Sequence, residues 1–244
     1  MTATITMIGT GSAFAKVYDN NNAVIDVDGY RLLVDCGITA PAALHKLGIS
    51  FGGLDAVLIS HTHADHVGGL EEFAFQMMFV HQRKPVLYIP SPLREPLWEH
   101  TLKGGLVQGA LQTLDDFFDV RELAVGKPAE LAPGLVIEPI RTEHIEGRLS
   151  YSFLINERCF YSADMIFNRE LLEQLVNERG VRSIFHDCQL TAPGTVHACL
   201  DELLTLPESI QTITRLMHYG DTMQQYIGRT GCMTFVEQGK SYDI

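Results

Sequence analysis

Three histidines and one aspartate stand within six positions of the sequence, in the segment His61-Thr-His-Ala-Asp-His66. Imidazole and carboxylate groups are ligands that zinc, manganese and iron bind in proteins. His61 and His63 are two residues apart, so on an extended chain their side chains project to the same side and can share one metal. Asp65 and His66 follow a turn and can reach a second metal. Because such polar groups beside a buried strand are costly unless a cation neutralises them, the segment predicts a metal site.

This segment lies between a short apolar run and sequence typical of a helix. The run Ala56-Val-Leu-Ile59 is bounded by Gly53 and Ser60, as expected for a buried strand. Residues 69–81 predict the helix that follows. The candidate ligands therefore lie on a loop at the carboxyl end of a strand, where α/β folds usually place their chemistry.

The pattern His-x-His-x-Asp-His resembles the signature of the metallo-β-lactamase superfamily. The resemblance implies an α/β fold, a four-layer αββα metallo-β-lactamase sandwich, which we expect to form a single domain over residues 1–244. It also implies two bound metals, usually Zn²⁺ and alternatively Mn²⁺ or Fe, and three further ligands at the ends of distant strands. His144, Asp164 and His218 follow strand-like runs in the expected order. The implied ligand sets are His61, His63 and His144 for one metal, and Asp65, His66 and His218 for the other, with Asp164 bridging both.

The expected chemistry is hydrolysis of a phosphoester. Zinc lowers the pKa of bound water from roughly 15.7 to about 7 and so supplies hydroxide near neutral pH, which Asp65 would help to orient. His186-Asp187 follows the strand-like run at residues 183–185, where ribonuclease Z and related phosphodiesterases carry a histidine followed by an acidic residue. We expect His186 to protonate the leaving alkoxide, with Asp187 holding its ring, since the ordinary pKa of histidine lies near neutrality. A structural role is the alternative for His186.

Two further residues are candidates to support the metal loop. Asp35 closes a hairpin predicted around the Asp28-Gly29 turn. In relatives this aspartate supports the loop, and a metal-bound histidine commonly needs such a partner; a turn or capping role is equally compatible with the sequence. His197 is predicted to start a helix over residues 196–204, at a family position that often supports the site.

The turn Gly9-Thr-Gly-Ser-Ala13 lacks the third glycine of a dinucleotide-binding fingerprint. It is most similar to the ribonuclease Z branch of the superfamily, in which it forms a wall of the active site. Three aromatic residues could stack on a nucleobase, with packing in the interior as the alternative for each: Phe14, Tyr18 and Tyr151.

The charge of the chain argues against a large polyanionic partner. The formal net charge is −12, and two divalent cations would offset only four of those charges. Proteins that bind tRNA or DNA usually present a basic surface, whereas here only Arg83 and Lys84 are adjacent basic residues. The chain also has no insertion resembling the basic, glycine-rich arm with which ribonuclease Z enzymes clamp tRNA. A small, singly charged substrate fits this composition better.

These features together resemble the anti-Pycsar phosphodiesterases, which cleave 3′,5′-cyclic mononucleotides. We therefore expect a metal-dependent phosphodiesterase that converts cCMP, cUMP, cAMP and cGMP to linear monophosphates and counteracts cyclic-nucleotide antiphage signalling. The alternatives are a ribonuclease Z-type tRNA 3′ endonuclease and a cyclic sugar-phosphate phosphodiesterase. A di-iron oxidoreductase is disfavoured because His63 stands where those enzymes carry a carboxylate, and seven assignable ligands disfavour a non-catalytic binding module. A lactonase or thioesterase explains the 9–13 turn and His186 less well.

The sequence also predicts the cellular compartment of the protein and its oligomeric state. Its five cysteines are odd in number and form no CxxC pair, which predicts reduced thiols in the cytoplasm. Neither a membrane-spanning run of roughly 20 apolar residues nor a signal peptide is present, so no membrane partner is expected. The 69–81 helix carries apolar residues on two faces, and relatives commonly dimerise through it. A homodimer is therefore expected, with a helix packed between sheet and loops as the alternative.

Overall fold

The computed structural model describes residues 3–244, and its strands form two seven-stranded sheets. In chain order the strands are β1 (Ala3–Gly9), β2 (Asn22–Val27), β3 (Tyr30–Val34), β4 (Ala56–Leu58), β5 (Val86–Pro90), β6 (Asp119–Leu123), β7 (Ala129–Ala132), β8 (Leu135–Thr142), β9 (Ser150–Ile155), β10 (Cys159–Tyr161), β11 (Ser183–Asp187), β12 (Thr214–Met217), β13 (Thr234–Phe235) and β14 (Ser241–Asp243). The order is β14-β1-β2-β3-β4-β5-β6 in the first sheet and β13-β12-β11-β10-β9-β8-β7 in the second.

The two sheets repeat one pattern. In the first, β14, β1, β2 and β3 pair antiparallel, and β3 to β6 pair parallel. In the second, β7 to β10 pair antiparallel and β10 to β13 pair parallel. In both sheets, polar side chains can therefore lie at the carboxyl ends of the parallel strands.

Nine α-helices and several shorter turns are present among residues 3–244. The helices are α1 (Ala40–Lys46), α2 (Ala64–Val67), α3 (Leu70–Phe75), α4 (Arg94–Leu97), α5 (Lys103–Leu106), α6 (Leu114–Phe117), α7 (Arg169–Asn177), α8 (Leu200–Leu203) and α9 (Glu208–Gln211). A π-helical turn, Gln76–Val80, continues α3, and a second, Trp98–Leu102, joins α4 to α5. Short 3₁₀ turns span Phe51–Gly53, Ser91–Leu93 and Met223–Tyr226.

The hairpin predicted around Asp28-Gly29 is confirmed. Val27 pairs with Tyr30, and the two turn residues have φ values of 49° and 91°. Positive φ at both central positions is the requirement of a two-residue type I′ turn, which matches the twist of the flanking strands. The hairpin delivers Asp35, directly after β3, next to the loop that follows β4.

Two backbone contacts join the sheets beside that loop. His61 forms an isolated antiparallel bridge with Ser150, at the start of β9, and Tyr151 N donates to Ser60 O over 3.2 Å. Gly11 forms a second link, because it bridges to Tyr219 after β12. The end of the first sheet that carries His61 thus lies against the second sheet.

The structure differs from the sequence prediction in two segments near the site. Strand β11 continues through Asp187 instead of ending at Phe185, because its parallel pairing with β12 extends to His186 and Asp187. The helix predicted over residues 196–204 is confined to α8, so His197 lies in a loop before it. Strands β6, β7 and β14 and helix α5 were not predicted; β6, for example, is a largely exposed edge strand without apolar alternation.

Cys36, Cys159 and Cys188 are buried. Cys199 is also buried and Cys232 is exposed, and all five thiols are free. Within residues 3–244, no helix has the length and apolar character that a membrane crossing requires.

Candidate active site

The seven predicted ligand residues come from four segments of the chain and meet in one cluster. Residues 61–66 follow β4, His144 follows β8, Asp164 follows β10 and His218 follows β12. All of them except His63 are buried. Residues separated by more than 150 positions are therefore neighbours, as a shared metal centre requires.

The first group in this cluster consists of three imidazoles and one carboxylate. Nδ1 of His63 lies 3.0 Å from Nε2 of His61 and 3.3 Å from Nε2 of His144. Oδ2 of Asp164 lies 3.8 Å from each of those Nε2 atoms. The four ligand atoms are all within 4.8 Å of one another. A single cation among them could contact all four at once.

The second group consists of two imidazoles and two carboxylates. Oδ2 of Asp65 lies 3.3 Å from Nε2 of both His66 and His218. Oδ2 of Asp164 lies 3.3 Å from His66 Nε2 and 3.4 Å from His218 Nε2. This one oxygen therefore belongs to both groups, in the position predicted for a bridging carboxylate.

Two buried polar atoms in the cluster have no hydrogen-bond partner among residues 3–244. They are Oδ1 of Asp164 and Nε2 of His66. The latter faces two carboxylates at 3.3 Å, but in directions unsuited to a hydrogen bond. Leaving a buried polar atom unpaired costs about 1–3 kcal/mol, and a bound cation would relieve both losses. The donor set thus fits divalent metal on structural grounds.

The outer nitrogens of three imidazoles are held by fixed acceptors. Each Nδ1–H hydrogen bond fixes the ring's tautomer and orientation, so that the Nε2 lone pair is directed into the cluster. Such outer partners are typical of metal-bound histidines. The pairs are His61 with Oγ of Ser60 at 3.0 Å, His66 with Oδ2 of Asp35 at 2.7 Å, and His144 with the carbonyl oxygen of Val196 at 2.6 Å.

Three residues at the site have backbones in the left-handed region. Asp35 has φ 60°, Ala163 has φ 50° and His218 has φ 56°. This conformation is unfavourable for residues other than glycine and persists where the surrounding structure requires it, often at functional sites. Here it aims the side chains of Asp35 and His218, and the one that follows Ala163, at the cluster.

The electrostatics of the cluster favour a bound cation. Burial lowers the pKa of His61 well below its ordinary value, and burial together with His144 lowers that of His63 to about 4. Both imidazoles are therefore neutral, as metal ligands must be. Burial alone would also lower the pKa of His66, but the surrounding carboxylates of Asp164, Asp65 and Asp35 raise it well above the ordinary value. The carboxylates thus favour positive charge at this place.

His186 lies apart from this cluster. Its side chain is fully buried, Nδ1 is 2.8 Å from the carbonyl oxygen of Asp187, and Nε2 has no hydrogen-bond partner in the described chain. Nδ1 of His186 also lies 3.1 Å from Oδ1 of the Asp187 carboxylate, so His186 is joined to the site through Asp187. Among the described residues, His186 belongs to none of the groups of candidate ligands, and its ring is closed off from solvent. This placement does not favour the predicted proton-donating role of His186.

His197 occupies the place next to the cluster instead. Its Nδ1 donates to Oδ2 of Asp187 over 2.9 Å and lies 4.0 Å from Oδ2 of Asp164. The side chain is 20% exposed, whereas that of Asp187 is fully buried. Burial alone would lower the pKa of His197, but the hydrogen bond to Asp187 and the charge of Asp164 raise it. The sequence predicts only a supporting role for His197. The contact between His197 and the Asp187 carboxylate, which places His197 beside the cluster, could not be predicted from the sequence.

The aromatic candidates have three different environments. Tyr151 is 1% exposed and cannot contact a substrate base. Tyr18 is half-buried and packs edge-on against Tyr219, with ring centroids 5.0 Å apart. Phe14 is 90% exposed. Of these three candidates, Phe14 is the most exposed.

The helix predicted over residues 69–81 buries one face and exposes its carboxyl end. Leu70, Phe73 and Met77 are buried, whereas Phe79 and Val80 in the π-helical turn are 60% and 68% exposed. The buried face agrees with a helix packed against the sheet. The exposed side chains of Phe79 and Val80 form a small apolar surface at the carboxyl end of this helix.

Comparison with known proteins identifies the family of this chain. The model of the family described as "Anti-Pycsar protein Apyc1" matches residues 3–242. An anti-Pycsar protein Apyc1 from Paenibacillus harenae is 61% identical over 240 residues, which cover 98% of this chain and 99% of the relative. Another from Saccharibacillus brassicae is 59% identical over 238 residues, covering 98% of each chain.

Among solved structures, the metallo-β-lactamase fold protein YhfI from Bacillus subtilis superimposes with a TM-score of 0.78. The comparison covers 100% of both chains at 17% sequence identity. At this identity the likeness concerns the fold alone, and it confirms the predicted α/β metallo-β-lactamase architecture.

Proposed function

Because the chain belongs to the anti-Pycsar Apyc1 family and is a metal-dependent hydrolase of metallo-β-lactamase fold, we propose that it hydrolyses 3′,5′-cyclic mononucleotides. The products would be linear monophosphates, and the effect would be to suppress cyclic-nucleotide antiphage signalling. The proposed substrates are cCMP, cUMP, cAMP and cGMP. The observation that carries the proposal is the double cluster, in which Asp164 Oδ2 faces His61 and His144 on one side and His66 and His218 on the other.

We assign the two groups of the cluster to two divalent metals, with Zn²⁺ as the first choice and Mn²⁺ or Fe as alternatives. Nitrogen and carboxylate ligands without thiolates suit each of these ions. When bound, the metals supply a nucleophilic water and accept negative charge from the phosphate oxygens. The remaining chemistry belongs to side chains of the protein.

Asp65 and His197 have complementary roles in this proposal. Asp65 uses Oδ2 toward His66 and His218, which leaves Oδ1 to accept a hydrogen bond from the attacking water. His197 keeps Nδ1 on the Asp187 carboxylate, which leaves Nε2–H to donate a proton to the leaving oxygen. The oxygen of the attacking water would form a new bond to phosphorus as the bond between phosphorus and the ribose oxygen breaks, and the departing ribose oxygen would take the His197 proton.

Asp187 positions the proton donor and the bridging carboxylate together. Its Oδ1 accepts from Ser162 Oγ over 3.2 Å, and its Oδ2 accepts from Met165 N over 3.3 Å as well as from His197. Ser162 and Met165 flank the Ala163-Asp164 pair. One buried carboxylate thus links the orientation of the His197 ring to the backbone that carries Asp164.

The two other phosphodiesterase functions receive less support. A tRNA substrate would require phosphate contacts from basic side chains, whereas the net charge of the chain is −12. A cyclic sugar phosphate would leave the exposed ring of Phe14 without a role. Both substrates remain as comparison arms of the test.

The test is hydrolysis of a panel of cyclic mononucleotides by the metal-loaded enzyme, with a pre-tRNA and a cyclic ribose phosphate in parallel. Formation of the linear monophosphate is followed with and without chelator, beside a His66→Ala control. We expect chelator-sensitive turnover of several cyclic nucleotides. Absence of turnover by an enzyme that holds two metals and cleaves bis(p-nitrophenyl) phosphate would contradict the proposal.

We further propose that the enzyme is a homodimer in the cytoplasm and forms one domain over residues 1–244. The exposed pair Phe79 and Val80 supports a subunit contact, since large apolar side chains gain from being covered by a second copy. The five free thiols support a reducing compartment.

A further inference from the structure

The loop of residues 12–18, here named the Phe14 loop, starts beside the candidate metal cluster. Ser12 N donates to the carbonyl oxygen of Tyr219 over 3.0 Å, and Tyr219 directly follows His218. Phe14 is two residues from Ser12, which places its backbone at most about 7 Å further along an extended chain. The loop that carries Phe14 therefore begins at the segment that directly follows a ligand residue of the cluster.

The other end of the Phe14 loop is bonded to the segment of the chain that follows His218. The Asp221 carboxylate accepts from the backbone nitrogens of Lys16, over 2.9 Å, and Val17, over 2.8 Å. Tyr18 packs on Tyr219 with ring centroids 5.0 Å apart. Because both ends are bonded to residues that immediately follow His218, the loop is positioned relative to the site.

Although the Phe14 loop is anchored, its apolar side chains are uncovered. Phe14 is 90% exposed and Val17 is 69% exposed. Ile227 is 62% exposed on the neighbouring segment, where Gln224 reaches the Tyr18 hydroxyl over 3.4 Å. Three large apolar side chains are thus exposed on the Phe14 loop and on the segment bonded to it.

A nucleobase fits this surface by its chemistry. An aromatic ring stacks on the face of any base, and aliphatic side chains such as Val17 and Ile227 add contact without reading its edges. No side-chain donor or acceptor is needed for such binding, so purines and pyrimidines are both accommodated. A substrate whose phosphate occupies the adjacent cluster would extend its base toward this ring.

We propose that Phe14 is the platform on which the base of the nucleotide substrate stacks, and that it makes the enzyme tolerant of different bases. The inference rests on the proposed function, because it identifies how that same site binds the nucleoside part. It assigns Phe14 to substrate binding and not to bond cleavage. Loss of the ring should therefore change KM more than kcat.

The experiment compares Phe14→Ala and Phe14→Trp with the wild-type holoenzyme on cAMP, cCMP and a cyclic ribose phosphate that has no base. We expect Phe14→Ala to raise KM for both nucleotides about tenfold, in line with loss of one base–aromatic stack. KM for the baseless substrate should be unchanged, and Phe14→Trp should restore nucleotide binding. Val125→Ala, at an exposed apolar residue that follows the edge strand β6, is the matched control and should leave KM unchanged.

Three outcomes would overturn the inference. They are an unchanged KM for nucleotides in Phe14→Ala, an equal rise for the baseless substrate, and a change of oligomeric state that accounts for the lost activity. Should the wild-type enzyme cleave no cyclic nucleotide, the proposed function fails, but the platform is still decided by the fluorescence of Phe14→Trp. Quenching by a linear nucleoside monophosphate supports the platform, and absence of quenching overturns it.

Discussion

The Nδ1 atom of His66 lies 2.7 Å from Oδ2 of Asp35, and the same carboxylate accepts from Ser60 N and Ser60 Oγ over 2.8 and 2.6 Å. Ser60 Oγ in turn accepts from Nδ1 of His61 over 3.0 Å. One fully buried carboxylate thus orients an imidazole of each metal group. The two groups are coupled beneath the cluster by Asp35 as well as within it by Asp164.

Asp35→Asn should weaken metal binding about 10- to 100-fold, the effect typical of losing an outer hydrogen-bond partner. An amide presents one oxygen and one NH₂ group, so it would set a donor against either the Ser60 backbone N–H or the His66 N–H. Competition with a chromogenic chelator measures the change. The control is Asp26→Asn, because the Asp26 carboxylate lies in the hairpin and accepts a hydrogen bond from Gly29 N. Equal metal affinity of the Asp35 variant and wild type would refute this role.

His197→Gln should lower kcat about 10²- to 10⁴-fold, the range for loss of a proton donor, while both metals stay bound. His186→Gln should lower it much less in molecules that remain folded, because the His186 ring is fully buried and belongs to none of the candidate ligand groups. Rates normalised to metal content and to folded fraction compare the two variants. A larger loss of kcat in the His186 variant would restore the role predicted from the sequence.

Removal of metal should lower the melting temperature by roughly 5–10 °C. A ligand at 100 times its Kd stabilises the folded state by about 2.7 kcal/mol, and 1 kcal/mol shifts the melting temperature of a protein of this size by about 2–4 °C. Calorimetry with and without chelator, together with elemental analysis for the metal, tests this. An unchanged melting temperature after complete removal of metal would show that other groups of the protein offset the charge of the buried carboxylates.

Gly37→Ala should disrupt the metal loop. A Cβ at Gly37 would lie 1.8 Å from the backbone oxygen of Asp65, a contact that requires the backbone to shift. We expect loss of bound metal and a destabilisation of a few kcal/mol, since overpacking typically costs about 1–3 kcal/mol. Gly104→Ala is the matched control, because a Cβ there meets nothing within 4 Å. Normal metal content in the Gly37 variant would contradict the expectation.

Phe79→Glu should convert the proposed dimer to a monomer, because burying an unpaired charge in an apolar contact is unfavourable. Light scattering after size exclusion measures the mass of the variant and of wild type. Val125→Glu, at another exposed apolar position, should leave the mass unchanged. A wild-type monomer, or a Phe79→Glu dimer, would place any subunit contact elsewhere.

Much of the fold was predictable from local pattern. The hairpin at Asp28-Gly29 and strand β4 follow from turn chemistry and from runs of apolar residues, which act over a few positions. The edge strands β6 and β14 were not predictable in this way. Their exposed residues carry little alternation, and they become strands because a neighbouring strand offers unpaired hydrogen-bonding groups.

The sequence by itself determined the candidate ligands, because seven histidine and aspartate residues stand at the ends of strand-like runs in an order that matches one superfamily. Only the tertiary structure decided which histidine adjoins them. Parallel pairing extends β11 through Asp187 and keeps His186 fully buried in the strand, whereas the loop before α8 brings the partly exposed His197 to the Asp187 carboxylate. Packing likewise distinguished buried Tyr151 from exposed Phe14. Neither outcome is encoded in residue type or spacing, since each depends on which face of the sheet meets the cluster.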